Sequence, residues 1–357
     1  MPRAAAISGS QGAVFVAIDA ELRRRGWEVR HAPAIGSRLE GLAEAARGAE
    51  ALFHVGVRTP RELHEPERAA LEADAALKAG RAARAAGVRR FVHVSTVSVY
   101  GRPRNLPCGE GDIKAPRTPF ERARWRAEQA AWLACREGAP LTVLRPALVY
   151  GPTLRRGPVR ALALVALFNA GKRRVPIIRR GPVTHLVHLD DVAGAALHVA
   201  EHADDRDVVA RAFNVADDAP LPLAEHVAAA LEAMGHTPGR VLPYSPRTTA
   251  LLIWLVQHVP DRILLEPLNR ALAAAWRRLA ARFGASPALV PRVDREVLHW
   301  MSADHYYDTH RLRALGWRPI HPVSVDALPE TIRGLLENGL LPAGPIPAPR
   351  RMIPPAP

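Results

Sequence analysis

Lysine is almost missing from this chain. Only Lys78, Lys114 and Lys172 occur, so all but three of the 49 basic residues are arginine, spread together with alanine and proline along the whole length. That distribution reads as a compositional bias and not as a binding patch. The formal charge of +14 is therefore assigned to a generally basic surface, because no helix-turn-helix, zinc finger or aromatic-studded basic strand accompanies it. Cysteine is scarce as well. Cys108 and Cys135 form no Cys-x-x-Cys or Cys/His pattern, which argues against a disulfide framework or structural zinc and fits a reducing compartment. No apolar run reaches the roughly 18–20 residues that span a bilayer. Met1–Ser8 leads straight into an apolar strand, without a charged start, a long apolar core and a cleavage site. The expectation is a cytoplasmic protein.

What is present suits a globular α/β protein. The chain has 357 residues, 48% hydrophobic and 24% charged, enough to bury a large core. Apolar strand-like runs at Arg3–Ser8, Trp27–Ala32, Ala51–Val55, Phe91–Ser95 and Leu141–Arg145 alternate with helical stretches at Ala13–Arg25, Arg38–Arg47, Ala69–Ala86 and Glu121–Arg136. Such alternation predicts a doubly wound parallel sheet with helices on both faces. Further short strands are expected at Val183–Leu189 and Ala212–Val215, each followed by a helix. Ser245–Phe283 reads as helical, interrupted at Pro260 and Pro267. The expected organisation is a Rossmann-type nucleotide-binding core over 1–180, a smaller C-terminal substrate or cap region over 181–342, and a disordered proline-rich tail over 343–357.

The chemistry-bearing segments fall at strand ends. Ser8-Gly9-Ser10-Gln11-Gly12-Ala13-Val14-Phe15 joins the first strand to the first helix, where glycines and a helix N-terminus can face a pyrophosphate. Val94-Ser95-Thr96-Val97-Ser98-Val99-Tyr100-Gly101, Leu144-Arg145-Pro146-Ala147-Leu148-Val149-Tyr150-Gly151-Pro152, Val187-His188-Leu189-Asp190-Asp191-Val192 and Phe213-Asn214-Val215 follow in order. Tyr307-Asp308-Thr309 and Leu315-Gly316-Trp317-Arg318-Pro319 complete the series. In this ordered set the chain resembles the extended short-chain dehydrogenase/reductase family, in its epimerase/dehydratase and 3β-hydroxysteroid dehydrogenase-like branch.

The resemblance implies an NAD or NADP cofactor, held by Ser8, Gly9, Gln11, Gly12, Arg30, His54, Arg124, Pro146 and Leu148. Thr96 takes the family's catalytic Ser/Thr position. The family's Tyr-x-x-x-Lys, a proton donor and its lysine on one helix face, becomes Phe120 and Arg124. A phenyl ring has no proton to give, and a guanidinium cannot be deprotonated here. Phe15 replaces the loop's third glycine, so it must push the first helix outward or fill space beside the cofactor. The stretch between Val29 and Phe53 is too short for the family's additional strand, and no Asp or Glu closes the second strand to accept from a ribose hydroxyl; Arg30 and His31 stand there instead.

Two functions stay open. One is an atypical relative that binds NAD(P) weakly or not at all, a pseudoenzyme or ligand-binding protein. The other is an NAD(P)-dependent oxidoreductase or epimerase acting on a steroid-like, lipid-like or sugar-nucleotide hydroxy or keto substrate. Tyr100 and Tyr150 are expected to be packed, Glu110 and Asp112 to lie in a solvated loop. His188, Asp190 and Asp191 are read as a turn and helix start, with no metal assigned. The segment 247–283 carries apolar residues at helical spacing among arginines. It caps a hydrophobic small-molecule pocket, or else touches the inner membrane peripherally. Nucleic acid is not expected as a partner, and a homodimer is left open by analogy.

Overall fold

The computed structural model describes residues 3–32, 39–57, 64–155, 157–170, 174–202, 204–243, 245, 247–248, 251, 254, 256, 258–286, 288–293 and 300–342. The expected disordered tail and the apolar positions Leu252, Ile253 and Leu255 lie outside these residues.

The elements, in chain order, begin β1 (Ala4–Gly9), α1 (Ala13–Arg24), β2 (Glu28–His31), α2 (Leu39–Ala45), β3 (Ala51–Val55) and α3 (Glu65–Ala85). They continue β4 (Arg90–Val94), α4 (Pro119–Arg136), β5 (Leu141–Pro146), β6 (Leu148–Tyr150), α5 (Pro158–Asn169), β7 (Arg174–Ile178), β8 (Val183–Thr184) and β9 (Leu186–His188). Then come α6 (Leu189–Glu201), α7 (Asp205–Val208), β10 (Arg211–Val215), β11 (Leu221–Pro222), α8 (Leu223–Ala233), β12 (Thr237–Leu242), α9 (Leu265–Arg282), α10 (His310–Ala314) and α11 (Ser324–Glu337). The chain divides into two compact units. The first holds residues 1–150, 183–220 and 303–324, and the second holds 151–182, 221–302 and 325–357.

The first unit is built on a six-stranded sheet in the order β10-β5-β4-β3-β1-β2, with every neighbouring pair parallel. Parallel strands need crossovers, and α1, α3, α4 and α6 supply them. Among the described residues no strand lies beyond β2 in this sheet. Strands β1, β4 and β5 are buried along their whole length, whereas the edge strand β2 is half open. One face is covered by α2, α3 and α4, whose alanines pack on Leu52, Phe91, Leu141 and Val143; α1 and α6 pack together on the other.

Small residues set the closeness of α3 to α4. A Cβ added at Gly80 would lie 2.4 Å from the Cβ of Ala134 and 3.1 Å from the Phe91 ring. Gly80→Val must therefore part the helices. The expected cost is about 1–3 kcal/mol, read as a lower urea midpoint.

The second unit has its own core of Val159, Leu162, Ala230, Trp276, Ile332 and Leu335, beside a parallel pair β7–β12. One sequence expectation changes here. Pro267 does not interrupt a helix, because it sits in the first turn of α9, where a backbone N–H has no intrahelical acceptor to lose. The apolar stripe of α9 is also largely spent internally, since Leu272 and Trp276 are buried. Exposed apolar side chains lie instead at Leu251, Trp254, Ile263, Leu264 and Leu268. No helix of the described residues is long and apolar enough to cross a membrane.

Candidate functional site

Parallel strands deliver their C-terminal ends to one rim, so the segments singled out in the sequence converge there. The turn after β1 is built around Gly9, whose φ is +115°. A Cβ on it would lie 2.4 Å from the Gly56 carbonyl oxygen, so only glycine fits. The backbone N–H of Ser10 donates to that same carbonyl at 2.9 Å. Gly12 starts α1 with no side-chain cap, which leaves the first N–H groups of the helix for another acceptor. Gln11 and Gly12 are exposed, while Ser8 is buried and its Oγ lies 2.8 Å from His54 Nδ1.

Phe15 fills space and does not open the loop. Its side chain is 3% exposed and meets the His31 ring edge-on at 5.0 Å. His31 Nε2 in turn lies 2.8 Å from Asp19 of α1. Arg30 is engaged as well, donating to Glu28 and to the Arg47 carbonyl.

Beneath the rim, His54 and His93 stack with ring centroids 5.5 Å apart and an interplanar angle of 14°. Burial pushes both imidazoles down, His54 well below its usual value and His93 to about 3, with the nearby Arg124 charge acting in the same direction. Both are neutral in the fold and protonated in the unfolded chain below about pH 6.5. The unfolded state then binds more protons, so stability is full above pH 6.5 and is lost as pH falls towards 3. Acidification from pH 6 to pH 5 is expected to cost about 1.2 kcal/mol through His93. In a urea-unfolding series over pH, His93→Leu should shallow that slope.

Arg124 of α4, expected at the site, packs against partners that the sequence did not indicate. Its guanidinium lies across Gly56: a Cβ there would stand 2.2 Å from Nη1. On either side are the Phe120 ring, at 5.2 Å from the guanidinium carbon, and Glu72 of α3, whose Oε2 is 3.7 Å from Nη1. Burial raises the Glu72 carboxyl, and Arg124 opposes that shift. Phe120 and Arg124 thus share one helix face, as i and i+4 must. The Phe120 side chain is 40% exposed, in the first turn of a helix capped by Thr118 and Glu121. The sequence offered one signal for this packing, a glycine directly after β3.

Thr96 follows β4 and caps a single 3-10 turn at Val97–Tyr100, accepting from the Ser98 N–H at 3.2 Å and donating to Ser98 Oγ at 3.2 Å. Tyr100, Tyr150 and Tyr307 are packed, and Tyr306 is half-buried. Tyr100 is fully buried, donates to Asn214 Oδ1 at 2.8 Å and accepts from Arg145 at 2.7 Å; burial raises its phenol. Tyr150 is buried against His188, and Tyr307 is buried beneath a ring stack with Tyr100.

A buried polar frame holds these strand ends in place. Arg145 of β5 donates to both Glu128 carboxylate oxygens, at 2.6 and 3.1 Å, and to the Glu110 carbonyl at 3.0 Å. Burial alone would lower the Arg145 guanidinium, but the ion pair with Glu128 outweighs it and raises the group. Ser95 donates to Glu128 at 2.6 Å. Glu110 is no solvated loop residue: it is buried, and it accepts from the Asn214 N–H at 3.1 Å. The expectation of a solvated loop fails there because the returning segment covers it, with the backbone N–H of Cys108 bonded to the Tyr306 carbonyl. Pro146 ends β5 buried, and Leu148 in β6 is half-buried. Sequence reasoning missed this frame, because its members are dispersed and only the fold brings them together.

These features can be compared with known proteins. The sequence model of the NAD dependent epimerase/dehydratase family matches residues 37–216. A 3-diazoavenalumate denitrifying reductase of Streptomyces is 32% identical over 213 residues, 58% of this chain. The matched stretch spans 63% of that relative's own length. Over 49 residues, 14% of this chain and 15% of the relative, a UDP-glucose 4-epimerase of Rhizobium meliloti is 45% identical. Among solved structures, that of gox2253 superposes with a TM-score of 0.66 at 20% identity, covering 94% of this chain and 98% of that one. A UDP-glucose 4-epimerase of Thermotoga maritima with UDP-glucose gives 0.61 at 17% identity, covering 94% and 99%. By the match to half of its sequence, this chain belongs to the NAD dependent epimerase/dehydratase family.

Proposed function

We propose that the chain is an NAD(P)-dependent reductase whose reaction needs no proton from a tyrosine. The observation that carries this reading is Phe120, an exposed ring in place of a phenol, with Arg124 beside it and Tyr100, Tyr150 and Tyr307 buried. The glycine turn supports cofactor binding, since Gly9 lets the backbone close on Gly56 and leaves the N-terminus of α1 uncapped for a pyrophosphate. Arg124 would hold ribose hydroxyls and Thr96 would orient the substrate.

Reduced nicotinamide supplies a hydride; a carbonyl receiving it also needs a proton on oxygen, whereas an arenediazonium carbon receiving it releases dinitrogen with the C–N bonding pair and needs none. The Streptomyces relative is by name a denitrifying reductase of a diazo compound, and an exposed phenyl ring beside a guanidinium suits a flat aromatic acid. The substrate class is therefore an aromatic diazonium acid. A second reading, a non-catalytic nucleotide binder, draws on Phe15 at the loop and on the absence of a carboxylate at the end of β2.

Titrating the full chain with NADH and NADPH, followed by cofactor fluorescence, separates the two readings. Saturable binding is expected, together with NAD(P)H oxidation on adding 4-carboxybenzenediazonium, faster than in a protein-free control. Binding without oxidation favours the non-catalytic reading. No binding at high micromolar cofactor defeats the reductase outright.

A further inference from the structure

We infer that His188, Asp190 and His321 form a binding site for a divalent first-row transition-metal ion. All three belong to the first unit. His188 ends β9 and caps α6, Asp190 lies in the first turn of α6, and His321 lies beyond α10 on the segment that returns to this unit. One donor atom from each residue lies within 4.8 Å of the other two.

The local hydrogen bonding fixes what His188 presents. Its Nδ1 accepts the backbone N–H of Asp190 at 3.3 Å, so the lone pair is on Nδ1 and the proton on Nε2. A contact of that length is a weak hydrogen bond and is given up at little cost to a cation. The same Nδ1 stands 3.6 Å from Asp190 Oδ2, close to the separation of two ligands each about 2.0–2.2 Å from one ion. The His321 ring lies 4.0 Å from that of His188, tilted by 51° and so not stacked flat upon it.

Neither imidazole depends on a metal for its place. Asp191 accepts the backbone N–H groups of Ile320 and His321 at 2.5 and 3.1 Å, which anchors the returning segment. Tyr150 meets the His188 ring edge-on at 5.1 Å. Asp190 is exposed, free to swing towards a cation while water fills the remaining positions. Sequence reading grouped His188 with Asp190 and Asp191; the fold turns Asp191 to the anchoring role and brings His321 in its stead.

Two imidazoles and one carboxylate suit zinc, ferrous iron, cobalt or nickel, and they disfavour magnesium and calcium, which take oxygen ligands. An ion here would tie the returning segment to the start of α6 and stabilise the folded chain by mass action.

The test uses the full chain, stripped with a chelator and titrated with Co²⁺. Visible ligand-field absorption saturating near one equivalent is expected, displaced by Zn²⁺ and unaffected by Mg²⁺, with a melting temperature that rises with excess metal. His321→Ala and Asp190→Asn should each weaken Co²⁺ binding by at least the roughly 10–100-fold typical of outer-shell changes, while retaining the parent circular dichroism. Binding should also weaken on acidification, because protons compete with the metal for imidazole nitrogen. His258→Ala, exposed and in the other unit, should leave the titration unchanged. No Co²⁺ spectrum, or equal affinity in the parent and His321→Ala, overturns the proposal.

Discussion

Arg145→Met is expected to lower the stability of the chain by about 3–5 kcal/mol, the cost of leaving a buried charge without its partner. Glu128 is fully buried. Its two carboxylate oxygens accept from Arg145, Ser95 and the Trp132 indole N–H. Removing the guanidinium leaves only two neutral donors for a buried carboxylate, and it also takes away the donors to the Tyr100 hydroxyl and the Glu110 carbonyl. The attribution can be checked by pairing the change with Glu128→Leu. If the orphaned charge is the main cost, the double variant should recover part of the loss, because an ion pair replaced by apolar groups of similar volume is often nearly neutral. Urea midpoints read by far-ultraviolet circular dichroism decide the matter. A double variant that is additive with its two single changes would show that Arg145 acts through packing and its other hydrogen bonds, not through Glu128.

Most strands of the first unit were legible because a strand buried on both faces is a short continuous apolar run, and four such runs, at β1, β3, β4 and β5, stand clear between alanine-rich helices. β3 was located to the residue, and the other early elements to within a few positions. The second unit was harder to read. β7 and β12 contain arginine and proline, pair with each other, and show no alternation to set them apart from loop. α9 was visible, but its burial was not, since a basic amphipathic helix has one sequence pattern whether its apolar face meets a core or a lipid surface. At the site, motif positions came through and partnerships did not. Nothing near Arg124 in the sequence announces Gly56 or Glu72, and nothing near His188 announces His321. Contacts of long sequence separation are made by the sheet order, which a single chain read residue by residue does not contain.

Phe120→Tyr combined with Arg124→Lys is expected to raise the rate of NAD(P)H-dependent reduction of aryl aldehydes and ketones by about 10²–10⁴-fold over the parent, the usual worth of a positioned general acid. Three features of the site favour that gain. The Phe120 ring is exposed, so a para hydroxyl adds an atom without displacing a packed neighbour. The helix turn that carries it is fixed by the Thr118–Glu121 capping box, so the new phenol inherits a defined position. Lysine at 124 remains on the same helix face as residue 120, and its ammonium lowers the cost of ionising the phenol. The two chemistries should part company in the variant. Carbonyl reduction gains a phenol-dependent pH profile, while consumption of the arenediazonium probe, which draws no proton from the protein, stays within a few-fold of the parent rate. If carbonyl reduction does not rise although the variant binds cofactor as the parent does, then the missing phenol is not what separates this site from a carbonyl reductase. The cause would then be sought in the Phe15 and His31 packing beside the turn after β1.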